Sequence, residues 1–342
     1  MAESQSAKPT SSQPRQTSPP SIDHLILYLP RDPLTSTPRL PQSLKSAFTI
    51  HPGGTHADGL TANVLIPLAD NSYIEIIWFL PSAPADSIRD HWWGSDADRK
   101  GWADWCLTTF GEDAGARENW EGVNSVGKGE KGEKKKNVYA RPIRGGRKRP
   151  DGVSVEWDVT FPLVVDKKGD EEGEAEEVNV RNGQALRGLL PFFCHDVTPR
   201  HVRVPAYSTA QPHPCGALAV LSLTVLVRDM EMFNRFRAIY AKTLRTEHGV
   251  GGGAQANEDE KEIKDVYEVS RVQEVGGLKA PRVILKLVVT SEEKERVKER
   301  GFAFGDVVFA AKARKGEEEG TVVRIDGMGG EEGLGGVYVR YE

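Results

Sequence analysis

The chain has 342 residues, a net charge of −5 and 38% hydrophobic residues. That length suits one large or two smaller domains, the mild acidity argues against nucleic acid as a partner, and no apolar run nears the roughly 20 residues that a membrane-spanning helix needs. Its three cysteines, Cys106, Cys194 and Cys215, lack metal-ligand spacing, and so sparse and odd a set suits a reducing, cytoplasmic compartment.

Residues 1–20 are rich in Ser, Gln and Pro and lack the apolar stretch of a secretory signal. Such a composition cannot bury enough surface to offset the entropy of ordering, which predicts a disordered tail. Folded sequence then opens with an apolar strand at 22–29, a helix at 40–48, and the run His51-Pro52-Gly53-Gly54-Thr55-His56, which reads as a glycine-rich turn. Strands at 62–67 and 73–80 flank a turn at Asp70-Asn71, because alternating apolar residues around a short polar pair mark a hairpin. A tryptophan-rich stretch follows. Within 98–110, Trp102, Trp105, Cys106 and Phe110 recur at helical steps, which predicts a core-facing helix.

Residues 127–136 and 166–177 are charged inserts, and the basic run 141–149, with no aromatic or helical signal beside it, reads as a charged loop. Arg149-Pro150-Asp151-Gly152 is a turn, and strict alternation over 153–161 predicts a half-buried strand containing Trp157. Residues 189–196 form another strand, ending in the polar pair His195 and Asp196. These elements form a first block, 21–205. The second block, 206–342, contains a strand at 217–227, an amphipathic helix at 230–244, a Gly-rich and acidic linker at 249–262, and a hairpin from 267–275 and 281–290. A helix capped by Ser291 comes next, and short strands at 305–311, 320–325 and 336–341 close the chain. His213, ahead of a proline, reads as a linker residue.

Strand followed by helix followed by strands thus occurs twice. Leu-Ile-Leu-Tyr-Leu-Pro-Arg-Asp at 25–32 compares with Ser-Leu-Thr-Val-Leu-Val-Arg-Asp at 222–229, and duplication is a stronger fold signal than either copy alone.

The residue that most needs explaining is Glu75, set in Tyr-Ile-Glu-Ile-Ile-Trp-Phe. Glutamate is depleted in strands, and a buried carboxylate needs partners. His24, near the start of the first strand, and His56 complete a set of two imidazoles and one carboxylate. Such a set suits a divalent metal, Zn, Ni, Fe or Mn. The same residues also suit metal-free acid–base work, with desolvation raising the Glu75 pKa toward that of a general base and His56 donating to a developing oxyanion. The plainer reading makes His24 a satisfied strand-end histidine and Glu75 a buried hydrogen-bond acceptor. His195, Asp196 and Trp157 are further pocket candidates. No Gly-x-Ser-x-Gly, phosphate-binding loop or dinucleotide fingerprint is present, and Cys194, on an apolar strand, reads as an inert core residue.

Asp23-His24-Leu25-Ile26-Leu27, Gly53-Gly54-Thr55-His56 with Asn63, Tyr73-Ile74-Glu75-Ile76-Ile77, Arg149-Pro150-Asp151-Gly152 leading to Trp157, Pro191-Phe192-Phe193 and His213-Pro214 together resemble the glyoxalase-like domain family of the vicinal-oxygen-chelate superfamily. The resemblance spans roughly residues 21–290, less the charged inserts. It implies an α+β fold of paired βαβββ modules forming cup-shaped mixed sheets, with a small-molecule ligand in the cup. In metal-dependent members the ligands come from the first and last strands of each module, which places His24 and Glu75 at such positions and His56 at the turn histidine. The implied activity is that of a lyase, isomerase or dioxygenase-type enzyme acting next to a carbonyl, with a non-catalytic small-molecule binding or resistance protein as the alternative. In the second block, Leu221 stands opposite His24 and only Lys286 is charged on the strand matching that of Glu75, so a symmetric four-ligand set is incomplete there. The two modules pair either within the chain or across a homodimer.

Overall fold

The computed structural model describes residues 19–94 except 33 and 36, then 100–110, 115–125, 138–163, 184–246, 262–313, 316–328 and 332–342. The predicted tail up to residue 18, both charged inserts and nearly all of the linker lie outside them.

The fold is α+β, with strands dominating. A first βαβββ unit consists of β1 (Ser21–Tyr28), α1 (Gln42–Ala47), β2 (His51–His56), β3 (Thr61–Pro67) and β4 (Tyr73–Phe79). After α2 (Ala85–Asp90), a second unit follows: β5 (Gly101–Thr108), α3 (Ala116–Ser125), β6 (Ile143–Lys148), β7 (Ser154–Thr160) and β8 (Phe192–Asp196). Their strands run β1-β4-β3-β2-β6-β7-β8-β5, and β5 pairs back onto β1, so the eight strands curl into a closed ring. The ring has two seams. β1 and β5 run antiparallel along most of their length, whereas β2 and β6 meet only through Thr55↔Lys148 and His56↔Arg147.

A short helix, α4 (Arg200–Arg203), leads to a second sheet made of β9 (Ala217–Val227), β10 (Lys264–Glu268), β12 (Arg282–Leu287), β13 (Phe302–Ala311), β14 (Val322–Arg324) and β15 (Val337–Tyr341), with α5 (Met230–Thr243) and α6 (Ser291–Val297). Its order is β10-β12-β9-β13-β15-β14. β9 is parallel to β12 and antiparallel to β13, which is parallel to β15. That reproduces the β4-β1-β5-β8 arc of the ring. The two-residue β11 (Ser270–Arg271) adds to β1, tying the two sheets together.

Every residue of β1 and of β4 is buried, because both faces of these strands are covered. Leu25, Leu27, Ile74 and Ile76 pack outward against Val220, Leu223, Val225 and Phe309 of the second sheet in one continuous core. Ile26, Tyr28, Ile77 and Phe79 face the ring interior with Trp92, Phe192 and Cys194.

Five expectations are corrected. Within the stretch predicted to be helical, residues 101–108 form strand β5: burial on both faces turns a strand into an apolar run, which periodicity cannot tell from a buried helix. The glycine-rich "turn" is strand β2. Its glycines serve close approach, since a Cβ on Gly53 would lie 2.0 Å from Asn63 Oδ1 and one on Gly54 would lie 2.3 Å from the Lys148 carbonyl. The basic "loop" contains strand β6, which closes the ring. The cap of α6 is Thr290, whose side chain accepts from Glu293 N while the Glu293 side chain reaches back to Thr290 N, a complete capping box. His213 is likewise no linker residue: it is buried, donates from Nε2 to the Pro67 carbonyl (2.9 Å) and accepts from Thr49 N (3.1 Å).

Candidate functional site

The ring encloses a cavity of about 530 Å³ lined by residues of β1, β2, β3, β4, β6, β7 and β8, within the usual size range for small-molecule sites. The alternation of β4 sends Tyr73, Glu75 and Ile77 into it, and the alternation of β8 sends Phe192 and Cys194. Its wall is aromatic. Trp92 stacks on Phe161 with ring centroids 4.1 Å apart, and Phe192 and Trp93 meet at 6.0 Å. His24, His56 and Asn63 form the polar end with Glu75.

Glu75 is 7% exposed. Oε1 accepts from Asn63 Nδ2 at 2.6 Å and lies 3.3 Å from His56 Nε2, while Oε2 lies 3.4 Å from His24 Nε2. Burial pushes its pKa up, but the hydrogen bond and charge of His56, the charge of His24 and the Asn63 bond outweigh burial and bring it to about 2. The expected elevated pKa is therefore corrected: the carboxylate is held anionic.

Both imidazoles are aimed from behind. His24 Nδ1 donates to Asp23 Oδ1 (2.5 Å), and His24 stacks on Tyr73 at 4.7 Å. Asp23 is itself clamped bidentately by Arg203 (3.0 and 2.8 Å) and by Arg200 (2.5 Å). Burial disfavours its charge, but the two guanidiniums and His24 hold its carboxyl well below the usual range. His56 Nδ1 sits 2.6 Å from Thr61 Oγ1. With His24 Nδ1 turned to Asp23, its Nε2 faces Glu75 Oε2, and a proton between the two completes the contact.

The predicted residues fall into two groups. His24, His56, Glu75 and Trp157 line the cavity. His195 and Asp196 do not, because strand alternation turns His195 away with Phe193. His195 contacts Thr109 Oγ1 at 2.9 Å, and burial pushes its pKa down to about 4. Asp196 pairs with Arg200 and Arg203 behind the wall, where it steadies the guanidiniums that hold Asp23.

The half-ring matching β1 and β4 is β5 and β8, not the second block. His24 pairs with Tyr73 and Cys106 with Phe192 in equivalent parallel registers. Glu75 and Cys194 each follow two residues later, so the positions of His24 and Glu75 are held across the ring by Cys106 and Cys194. Burial and the neighbouring Cys194 push the Cys106 thiol well up.

Asp23, His24 and Cys106 are three potential metal donors whose atoms lie within 4.8 Å of one another. They do not fit a divalent cation: both Asp23 oxygens are already taken by guanidiniums, and the Cys106 thiol is held protonated. His24, His56 and Glu75 suit a metal by donor type, but the two imidazoles hold opposite carboxylate oxygens, and the three do not bring one donor atom each within that spacing.

Residues the sequence reading left without a role complete the site. Asn63 fixes Glu75. Arg147, from the supposed loop, donates to Asn63 Oδ1 at 3.0 Å. His91 Nε2, also lining the cavity, meets Asp58 Oδ2 at 2.9 Å. The missed signal was a second strand–helix–strands repeat beginning at β5, hidden by its resemblance to a helix.

The model of the glyoxalase-like domain family matches residues 22–242. No curated protein sequence matches the chain. Among solved structures, a hypothetical protein from Staphylococcus aureus is 14% identical and superposes with a TM-score of 0.51 over 94% of this chain and 99% of its own. At that identity the likeness is one of fold. A triple mutant of 4-hydroxymandelate synthase from Streptomyces coelicolor is 13% identical, with a TM-score of 0.41 over 86% of this chain and 72% of its own. Among the described residues no helix is long and apolar enough to cross a membrane.

Proposed function

The chain belongs to the glyoxalase-like domain family, and from that premise we propose that its ring cavity binds a small carbonyl compound and moves a proton on the carbon next to the carbonyl. The observation that carries this reading is the anionic Glu75 at the cavity's polar end, flanked by two imidazole nitrogens at 3.3 and 3.4 Å.

In this reading Glu75 accepts the proton. His56, His24 and Asn63 all stabilise the anion and hold its pKa low. A substrate that enters between the carboxylate and an imidazole removes part of that stabilisation and leaves the desolvation, which raises the basicity of Glu75 as the substrate binds. His56, with Nδ1 accepting from Thr61, presents Nε2–H toward the enolate oxygen. The aromatic wall excludes water and orients a flat apolar body. Asp23, through Arg203 and Arg200, keeps His24 pointed at the reacting centre.

The test is hydrogen exchange in D2O, followed by proton NMR, over a panel of aromatic aldehydes, ketones and their α-hydroxy derivatives. Turnover-dependent loss of the α-proton signal is expected, with a drop of about 10²–10⁴-fold in Glu75→Gln. Ligand-induced melting shifts with no exchange on any compound would reject the reaction and leave a binding or resistance protein.

A further inference from the structure

Three arginines line the cavity: Arg144, Arg147 and Arg203. Two are matched by carboxylates. Arg144 pairs with Asp158 at 2.7 Å and Glu156 at 3.1 Å, and Arg203 with Asp23 and Asp196. Arg147 is 5% exposed and has no carboxylate within bonding distance among the described residues. Its Nη1 donates to the Asn63 amide oxygen, its Nη2 to the Arg203 carbonyl, and its Nε has no hydrogen-bond partner. A buried guanidinium whose direct hydrogen-bond partners are all neutral oxygens is costly, and a cavity that keeps one has a use for it.

Its place in the ring says what that use is. Arg147 pairs with His56 across the narrow β2–β6 seam, and through Asn63 it is one amide away from Glu75. Next to it, Gly145 and Gly146 also line the cavity. A Cβ on Gly145 would lie 2.5 Å from the Trp157 indole nitrogen, so the glycine is what lets the indole lie against the strand. The cationic group therefore sits one amide away from the reacting carboxylate, on the strand against which Trp157 lies.

We infer that Arg147 is an anion subsite, and that the ligand is a flat, apolar organic acid whose carboxylate pairs with Arg147 while its body lies against Trp92, Trp93, Phe161 and Phe192. This rests on the reading of the ring cavity as the ligand site and narrows the carbonyl compound to one bearing a carboxylate near the reacting carbon. Arginine's planar fork suits a carboxylate bidentately, and an anionic ligand supplies the partner that the protein withholds.

The experiment uses the full chain and matched probes: phenylacetate and 3-phenylpropanoate against phenylacetamide and 3-phenylpropanamide, measured by calorimetry and thermal melting. At least one acid should bind tenfold or more tightly than its amide. Arg147→Gln should abolish that preference, and Arg147→Lys should retain part of it, since the charge survives without the fork. Acids that bind no better than their amides, including the case where neither binds, overturn the inference without needing a variant, as does a preference that survives in Arg147→Gln. Because binding alone is read, an intact acid preference with no proton exchange sinks the reaction and not the subsite, and exchange without acid preference does the reverse.

Discussion

Asn63 Nδ2 donates to Glu75 Oε1 at 2.6 Å while Asn63 Oδ1 accepts from Arg147 Nη1 and from Gly54 N. One amide thereby links the buried anion, the buried cation and the glycine strand. Its orientation is dictated by its partners, because only the NH₂ group can face a carboxylate and only the oxygen can face a guanidinium.

Asn63→Leu removes all three bonds and leaves Glu75, Arg147 and Gly54 N short of partners. Each unsatisfied buried group costs about 1–3 kcal/mol, so urea denaturation should show a loss of at least that size, without a change in the m-value. A loss below a few tenths of a kcal/mol would mean that water replaces the amide and that the linkage is incidental.

Gly53→Ala should be harmful even though alanine is the smallest side chain available. The added methyl would lie 2.0 Å from Asn63 Oδ1 and 2.4 Å from the Asn63 carbonyl, so β2 must move off β3. Overpacking of this kind costs on the order of 3 kcal/mol, and the melting temperature should fall accordingly. Gly152→Ala, in a turn with nothing within 4 Å of the new methyl, isolates backbone strain from the clash, because its φ of +86° is unfavourable to alanine. The Gly53 variant should be the worse of the two.

Acid should remove a specific part of the stability. Glu75 titrates at about 2 in the folded protein against 4.5 ordinarily. A depressed carboxylate contributes stability that is complete above the unfolded value and is lost as pH falls through the folded one. The contribution is on the order of 3 kcal/mol. Wild-type protein should exceed Glu75→Gln in stability near pH 6, and the gap should shrink from pH 5 down toward pH 2. A gap independent of pH across that window contradicts the ionised state of Glu75.

Metal removal should change little. Protein purified without chelator is expected to carry well under one equivalent of Zn, Ni, Fe or Mn, and dialysis against EDTA should leave both the melting temperature and the binding of aromatic ligands unaltered. Elemental analysis decides it: a stoichiometric ion whose removal abolishes binding would show that His24 and His56 swing onto a common centre that the present side-chain positions do not form.

Local chemistry alone accounts for a good part of this protein. The β-branched and aromatic runs around His24 and Glu75 are strands because no other element suits such residues, and the anomaly of a glutamate among isoleucines singled out the cavity. What local chemistry did not determine is which strands meet. Pairing between β1 and β5, and between β2 and β6, joins residues 73 to 93 positions apart, and nothing within a short window encodes it. Ring closure buries both faces of β5, which erased the alternation that would have marked it as a strand. The same closure turned a basic run into β6 and brought Arg147 beside His56. It also decided that the partner half of the site carries two thiols in place of a second imidazole and carboxylate. Composition and periodicity report how each segment meets solvent, whereas the charge balance of the cavity depends on which segments meet each other.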